Sequence, residues 1–217
     1  AEAGEPVTLW GRDAEAMAAM ARTRRNPRLP GVTLPATLAL TADLTRLGAA
    51  DALLLAVPAQ ETGPFLAAHA THLPEVPLIL CAKGVGRARL RLQTEIATEA
   101  RPGTPLAALT GPGFAGEIAR GLPTALTLAC ADPTEGRILQ RRLSGPRLRL
   151  YLTDDTTGAQ LGGALKNVIA IACGMVEGAG LGASARAALM TRGFAEMTRL
   201  AVAMGGRAET LTGLSGL

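Results

Sequence analysis

The chain has 217 residues, 48% of them hydrophobic, and a formal charge of +4. A chain of this length can bury a sizeable core, as one large domain or two small ones. Aromatic residues make up only 2% of the sequence, so the core must be built from closely packed small and aliphatic side chains. Nucleic-acid binding is disfavoured, because the arginines are scattered among acidic residues and few aromatic side chains are present to stack on bases.

The cysteines and histidines offer no recognisable metal site. Cys81, Cys130 and Cys173 lie far apart in apolar segments, and His69 and His72 have no third ligand nearby. We therefore expect reduced thiols and no bound metal. No apolar run reaches the ~20 residues that cross a bilayer, and no signal peptide opens the chain, which predicts a soluble, cytoplasmic protein without an integral membrane segment.

The first part of the chain alternates short apolar runs with helical stretches, which predicts βαβ units and a parallel sheet. Strands are predicted over 7–10, 52–57, 77–82, 105–110, 124–130 and 147–152. Apolar residues at three- and four-residue steps predict helices over 13–22, 60–72, 88–99 and 134–143.

From Thr153 onward the pattern becomes helical. Helices are predicted over 156–178 and 183–204, the second ending at Gly205 and Gly206. We therefore place a domain boundary near residue 150. Residues 1–150 are predicted to form an open α/β domain, and residues 151–217 to begin an all-α domain.

Basic residues follow two of the predicted strands, at the edge where ligands bind in open α/β sheets. Arg12, after the first strand, can bind the 2′-phosphate of NADP, which favours NADP over NAD; an exposed arginine at this point is more often simply solvated. Lys83, after PLILCA, can hold an anionic substrate or polarise its oxygen. A surface lysine in a loop explains that segment equally well.

A turn rich in glycine and proline, from Thr110 to Ala115, connects a predicted strand to a short helix. Unpaired amides at the start of that helix can face an anion or a nicotinamide ring. An ordinary tight turn needs the same residue types, so this alternative stays open.

The segment QLGGALKNVIA carries the sharpest signal. On one helix, Lys166 has Gly162 and Gly163 about one turn before it and Ala170 about one turn after it. These small neighbours predict a groove and a partly desolvated ammonium, whose lowered pKa suits proton exchange with an alcohol or carbonyl. Asn167 can orient a substrate or the lysine. The alternative is a lysine on the exposed stripe of the helix.

Taken together, VTLWGRD, AVP, AKG, TGPGFAGEIARGLPTA, GAQLGGALKNVIAIACGM and TRGFAEMTRL resemble, in order and spacing, the bacterial NAD(P)-dependent glycerol-3-phosphate dehydrogenase family. The resemblance covers nearly the whole chain. It implies that residues 1–150 form a Rossmann-type α/β dinucleotide-binding domain and that residues 151–217 begin the all-α domain for substrate binding and catalysis. It implies an enzyme that uses NADP or NAD to reduce dihydroxyacetone phosphate reversibly to sn-glycerol 3-phosphate, for glycerophospholipid synthesis. We also expect a homodimer that binds this phosphorylated substrate.

The resemblance assigns catalytic and substrate-binding roles to matching residues. Lys166 corresponds to the general acid/base and, with Asn167, to a substrate-binding pair. Lys83 corresponds to a lysine that contacts both cofactor and substrate, and Gly111 to a substrate-binding glycine. Gly113 stands where the family usually has a substrate-binding Ser or Thr, which puts that hydroxyl contact in doubt.

The cofactor contacts implied by the resemblance are Arg12, Lys83 and Ala115. The first strand and glycine-rich turn that open the family's dinucleotide fold are expected to be absent from this chain. The same expectation applies to the helical region beyond LTGLSGL, which supplies a catalytic-site aspartate and a phosphate-binding Arg-Asn pair. Residues 1–217 alone are then expected to have negligible activity.

Two other interpretations stay open. A β-hydroxyacid or 6-phosphogluconate-type dehydrogenase also joins a dinucleotide domain to a helical domain with a catalytic lysine, although the GPGFAGE loop argues against it. A non-catalytic NADP-sensing module would keep the fold without the chemistry, and the presence of both Lys83 and Lys166 disfavours it because a sensor needs no proton donor.

Overall fold

The strands form two sheets. In the computed structural model, which describes residues 5–215, β1 (Val7–Trp10) pairs in parallel with β2 (Leu38–Thr41). A second sheet holds five strands in the order β3-β4-β5-β6-β7. Their bounds are Leu53–Leu55, Leu78–Leu80, Leu106–Thr110, Thr124–Cys130 and Leu148–Thr153. Each of the six predicted strands is present, some of them shortened at their ends.

Side-chain caps mark the start of some of the helices. Three of them start at an aspartate whose side chain accepts a hydrogen bond from a first-turn amide, namely Asp13, Asp132 and Asp155. In chain order, α1 to α8 are Ala14–Thr23, Thr62–His69, Gln93–Ala100, Ala115–Ala119, Pro133–Leu143, Thr156–Gly178, Gly182–Ala203 and Ala208–Thr212. The two long helices α6 and α7 match their predicted spans to within about one residue.

Strand direction in the five-stranded sheet differs from the all-parallel expectation. β3, β4 and β5 are parallel, β6 runs antiparallel to β5, and β7 is parallel to β6. The connection from β5 to β6 contains only the five-residue α4, whereas a parallel return normally uses a longer crossover helix. Because β3 to β5 are parallel, the loops that follow them emerge at the same edge of the sheet.

The core of this sheet lies between its strands and α5. Ile79, Ala107 and Leu128, from three adjacent strands, are fully buried, and Leu139 of α5 packs against them. Aliphatic side chains and alanine therefore build the core, as the low aromatic content predicts. Two short elements, β2 and α8, were not predicted from the sequence. A segment of four or five residues is too short for its periodicity to identify a strand or a helix.

Helix α6 connects the sheet to the helical layer. It contacts β5, α7 and α8, and its first turns are buried, with Ala159 and Leu161 almost inaccessible. Farther along, Val168 and Ile171 are exposed. By length and composition α6 is apolar enough to cross a membrane, a test that the core helix of a soluble protein also passes. The absence of an integral membrane segment stays a prediction.

Candidate active site

Two loops meet at the edge where the parallel strands end. β4 ends at Leu80 and leads to Lys83, and β5 ends at Thr110 and leads to Gly111. The Lys83 ammonium donates a hydrogen bond to the carbonyl oxygen of Gly111 at 2.8 Å. Two residues singled out in separate motifs therefore lie side by side.

Helix α6 brings Lys166 to the same place. A β-carbon built at Gly163, one turn before Lys166, would lie 3.8 Å from Cγ of Lys83. Burial lowers the pKa of the Lys166 amine, and the charge of Lys83 lowers it further. Burial also lowers the pKa of Lys83, although much of that side chain is exposed. We call this group of Lys83, Gly111 and Lys166 the two-lysine site.

The use of lysine in this chain is restricted to that site. Of its 22 lysines and arginines, only Lys83 and Lys166 are lysines. An arginine stays protonated in proteins, whereas a lysine with a lowered pKa can give up and regain a proton. Lys83 and Lys166 therefore differ from the chain's arginines in being able to titrate.

Gly162 and Gly163 do not form the open groove beside Lys166 that the sequence predicts. Both are buried, and a β-carbon at Gly163 would lie 2.3 Å from Oγ1 of Thr110. One at Gly162 would lie 2.8 Å from the carbonyl oxygen of Ser215. The groove prediction is wrong: these glycines let α6 pack closely on β5 and on the segment after α8.

The loop after β5 is tightly packed at two glycines. Gly111 has a φ of 137°, and a β-carbon there would lie 3.1 Å from Cα of Leu126. A β-carbon at Gly113 would lie 2.9 Å from Cδ2 of Leu126 and 3.3 Å from Cδ1 of Ile118. A Ser or Thr at position 113 would therefore require the Leu126 side chain to shift.

The other predicted site residues lie farther out. Ala115 is exposed at the first position of α4, and Asn167 is exposed next to Lys166. Arg12 is exposed just beyond β1, in the other sheet. Within residues 5–215, neither Arg12 nor Asn167 makes a side-chain hydrogen bond. Arg12 therefore stands apart from the two-lysine site.

Sequence reasoning missed three buried polar side chains around this site. Thr110, Gln93 and Gln160 are 4%, 1% and 7% exposed. In the sequence, a glutamine on an amphipathic helix is indistinguishable from a surface residue. Only for Gln160 was a signal available, because it lies three residues before Gly163 and so shares the buried face of α6.

The cysteines and histidines of the described residues form no metal-binding cluster. Among the described residues, no group of three or more His, Cys, Asp or Glu side chains is arranged to hold a metal ion, and the three cysteines are free. His69 is half-buried and packs against Phe65 and Trp10, with ring centroids 4.9 Å and 6.1 Å away. His69 therefore packs between α2 and β1.

Sequence profiles of known families match both parts of the chain. The profile described as NAD-dependent glycerol-3-phosphate dehydrogenase N-terminus matches residues 1–135, and the one described as its C-terminus matches residues 155–217. The chain belongs to the NAD-dependent glycerol-3-phosphate dehydrogenase family. This membership confirms the resemblance drawn from the motifs.

Individual relatives agree with this glycerol-3-phosphate dehydrogenase assignment. Glycerol-3-phosphate dehydrogenase (NAD(P)+) of Paracoccus denitrificans is 57% identical over 212 residues, which cover 98% of this chain and 66% of that protein. The protein of the same name from Caulobacter vibrioides is 50% identical over 219 residues, covering 100% of this chain and 66% of its own length. The chain therefore spans about two thirds of the length of these relatives.

A solved glycerol-3-phosphate dehydrogenase has the same fold. The crystal structure of the Coxiella burnetii protein superposes with a TM-score of 0.92 at 36% identity, and the match covers 98% of this chain and 66% of that chain. The predicted fold class, a Rossmann-type α/β unit followed by a helical part, is thereby confirmed.

Proposed function

We propose that the protein is an NAD(P)-dependent sn-glycerol-3-phosphate dehydrogenase, which reversibly reduces dihydroxyacetone phosphate to sn-glycerol 3-phosphate for glycerophospholipid synthesis. Family membership and the names of the relatives support this. The observation that carries it is the pair of amines, Lys83 and Lys166, at the carboxyl edge of the parallel strands. Two such cations suit an anionic substrate that develops negative charge on one oxygen during reaction.

The residues present fit a dinucleotide cofactor. Arg12 and Lys83 lie just past the ends of parallel strands, where open α/β sheets bind their ligands. Within residues 5–215 neither has an ion-pair partner, so both cations are free to bind phosphate. Arg12, Lys83 and Ala115 would hold NADP or NAD, which supplies the hydride when bound.

Lys166 would exchange the proton with the C2 oxygen of the substrate. In the reducing direction that oxygen gains negative charge and the ammonium donates a proton to it; in the oxidising direction the amine accepts the proton back. Lys83, held by the Gly111 carbonyl, would stabilise the same oxygen electrostatically. Asn167 and the loop of Gly111 and Gly113 would orient the substrate.

We further propose that residues 1–150 form the dinucleotide-binding domain and that residues 151–217 begin the helical domain that supplies Lys166. Two observations support this division: the family profiles separate between residues 135 and 155, and the last described strand ends at Thr153. We propose that the protein acts in the cytoplasm as a homodimer, a state that light scattering measures directly.

The test is whether the intact protein oxidises NADPH or NADH in the presence of dihydroxyacetone phosphate. The absorbance of the reduced cofactor measures the rate. Lys166→Met is expected to lower kcat by roughly 10²- to 10⁴-fold with little change in cofactor affinity. Lys166→Arg is the matched variant, since it keeps the charge but cannot exchange a proton, and it is expected to lose turnover similarly. Near-normal turnover of either variant would refute the acid/base role.

A substrate panel separates this proposal from the alternatives. Reduction of a β-keto acid in preference to dihydroxyacetone phosphate would favour the β-hydroxyacid dehydrogenase interpretation. Tight NADPH binding without oxidation of the cofactor, in the presence of any member of the panel, would favour a sensing module.

A further inference from the structure

We propose that Gln93 and Gln160 are positioning residues that together set the separation of Lys83 from Lys166. The inference rests on the proposed function, because this separation affects a reaction only if both amines act on one substrate. Both glutamines are almost fully buried, at 1% and 7% exposure. Buried amides are normally held by hydrogen bonds. Gln93 is bonded to the loop that carries Lys83, and Gln160 lies on α6, the helix that carries Lys166, and is bonded to α3.

Gln93 fixes the loop that carries Lys83. Its Nε2 donates to the carbonyl oxygen of Gly84, the residue after Lys83, at 3.0 Å. On the other side of this loop, a β-carbon at Gly84 would lie 2.9 Å from Cβ of Ala59, so the backbone is confined there as well. Among the described residues, Oε1 of Gln93 is buried without a hydrogen-bond partner. An apolar side chain would avoid that cost, so packing alone does not explain an amide at this position.

Gln160 ties α6 to the beginning of α3. Its Oε1 accepts a hydrogen bond from the backbone amide of Thr94 at 3.1 Å, and its Nε2 donates to Oγ1 of Thr94 at 2.9 Å. Nε2 also donates to the carbonyl oxygen of Thr156 on its own helix, at 2.9 Å. Because Thr94 adjoins Gln93 in the chain, the two amides form one continuous bridge from the Lys83 loop to α6.

This amide bridge crosses from the five-stranded sheet to the helical layer. Lys83 belongs to the sheet side and Lys166 to the helical side, so noncovalent contacts between the two sides set the distance between the amines. A displacement of about 1 Å at a reacting group can cost on the order of 100-fold in rate. The glutamines would thus act through the lysines without touching the substrate.

The variants that test the bridge replace glutamine by a side chain of similar length that cannot form hydrogen bonds: Gln93→Met and Gln160→Met. Gln140→Met is the matched control: Gln140 of α5 donates to the carbonyl oxygen of Leu150 at 2.7 Å, on the other side of the core. All variants are compared by thermal unfolding and by kcat and KM in the intact protein.

We expect Gln93→Met and Gln160→Met to lower kcat by roughly 10- to 100-fold with a smaller change in KM for the cofactor. Gln140→Met is expected to lower Tm but to leave kcat near the unsubstituted value. A loss of kcat in Gln140→Met as large as in the two bridge variants would overturn the positioning role.

A second measurement needs no turnover. Lys83 and Lys166 are the chain's two lysines, so reductive methylation with a carbon-13 label marks these side chains and the amino terminus for titration by NMR. When both glutamines are present, Lys83→Met is expected to raise the titration midpoint of Lys166, because it removes a neighbouring charge. In the Gln93→Met or Gln160→Met background this effect should shrink, and in the Gln140→Met background it should persist.

The two measurements separate the inference from the proposed function. If the unsubstituted protein does not reduce dihydroxyacetone phosphate but the bridge variants alone weaken the lysine coupling, the function is wrong and the bridge still sets the separation of the amines. If the protein is active and the coupling is the same in every background, the positioning role is refuted while the function stands.

Discussion

Asp155 accepts a hydrogen bond at 2.7 Å from the backbone amide of Arg207, which lies 52 residues later in the sequence. Its other carboxylate oxygen accepts from the amide of Gly158 in the first turn of α6, also at 2.7 Å. Asp155 is only 7% exposed. One buried carboxylate therefore joins the beginnings of α6 and α8, whose amides have no partner within their own helices.

Replacing Asp155 should destabilise the protein strongly. Asp155→Ala removes a helix cap and leaves a buried amide without an acceptor, so we expect the free energy of unfolding to fall by roughly 2–4 kcal/mol. Its neighbour Asp154 is the control, because it pairs only with the exposed side chain of Arg207. Asp154→Ala should change stability little. Urea titrations of both variants measure the difference, and equal losses would contradict the cap's role.

Adding one methyl group should have opposite effects at two glycines of α6. Gly163→Ala would place Cβ 2.3 Å from Oγ1 of Thr110, and overpacking of this kind costs about 1–3 kcal/mol. At Gly174 nothing lies within 4 Å, so Gly174→Ala should stabilise the helix by up to about 1 kcal/mol. Thermal unfolding measures both effects. Thr110→Ala combined with Gly163→Ala should recover part of the loss, and strict additivity of the two changes would argue against direct contact.

Lys166→Met should raise the free energy of unfolding at neutral pH. Folding lowers the pKa of Lys166 from its ordinary value of 10.5, so the protonated amine is disfavoured in the folded state. This penalty is complete at pH values below the folded pKa and disappears as the pH rises to 10.5. The advantage of the methionine variant should therefore shrink with rising pH. Solvent screens this half-buried side chain, so we expect a gain below about 1 kcal/mol.

Unfolding in urea at a series of pH values checks this dependence. Lys166→Arg is the control, because a guanidinium stays charged at every pH of the series and its penalty should not be relieved. An advantage of Lys166→Met that grows towards high pH would show that the sign is wrong.

The thiol of Cys81 should react slowly. Burial raises its pKa to about 11 from an ordinary value of 9.0, so the reactive thiolate is scarce at pH 8 in the folded protein. Labelling of Cys81 by a thiol reagent should be at least about tenfold slower in the native protein than in urea, as followed by mass spectrometry of the labelled peptides. Fast native labelling at Cys81 would contradict this expectation.

The sequence predicted those features of the fold that depend on neighbouring residues. VTLW is an apolar run of strand length and matches β1, and α6 begins after Asp155, a residue typical of helix caps. The direction of β6 was not predictable in this way, because it depends on how the short connection with α4 turns across the sheet.

The candidate site was predictable to a similar extent. Lys83 and Lys166 each stand in a recognisable local motif, and the parallel arrangement of β4 and β5 brings one of them to Gly111. The packing partners of Gly163 and the burial of Gln93 could not be read from the sequence, because both arise from contacts between segments far apart in the chain.

The scarcity of lysine has a practical consequence for chemistry on this molecule. Reagents selective for neutral amines leave guanidinium groups unmodified, and this chain offers them two amine side chains besides the amino terminus. Since burial holds the pKa of both below the ordinary range, they become nucleophilic at a milder pH than exposed lysines do. The amount of reagent bound to the two lysines would therefore measure how accessible their cleft is. A ligand that occupies the cleft would lower that amount.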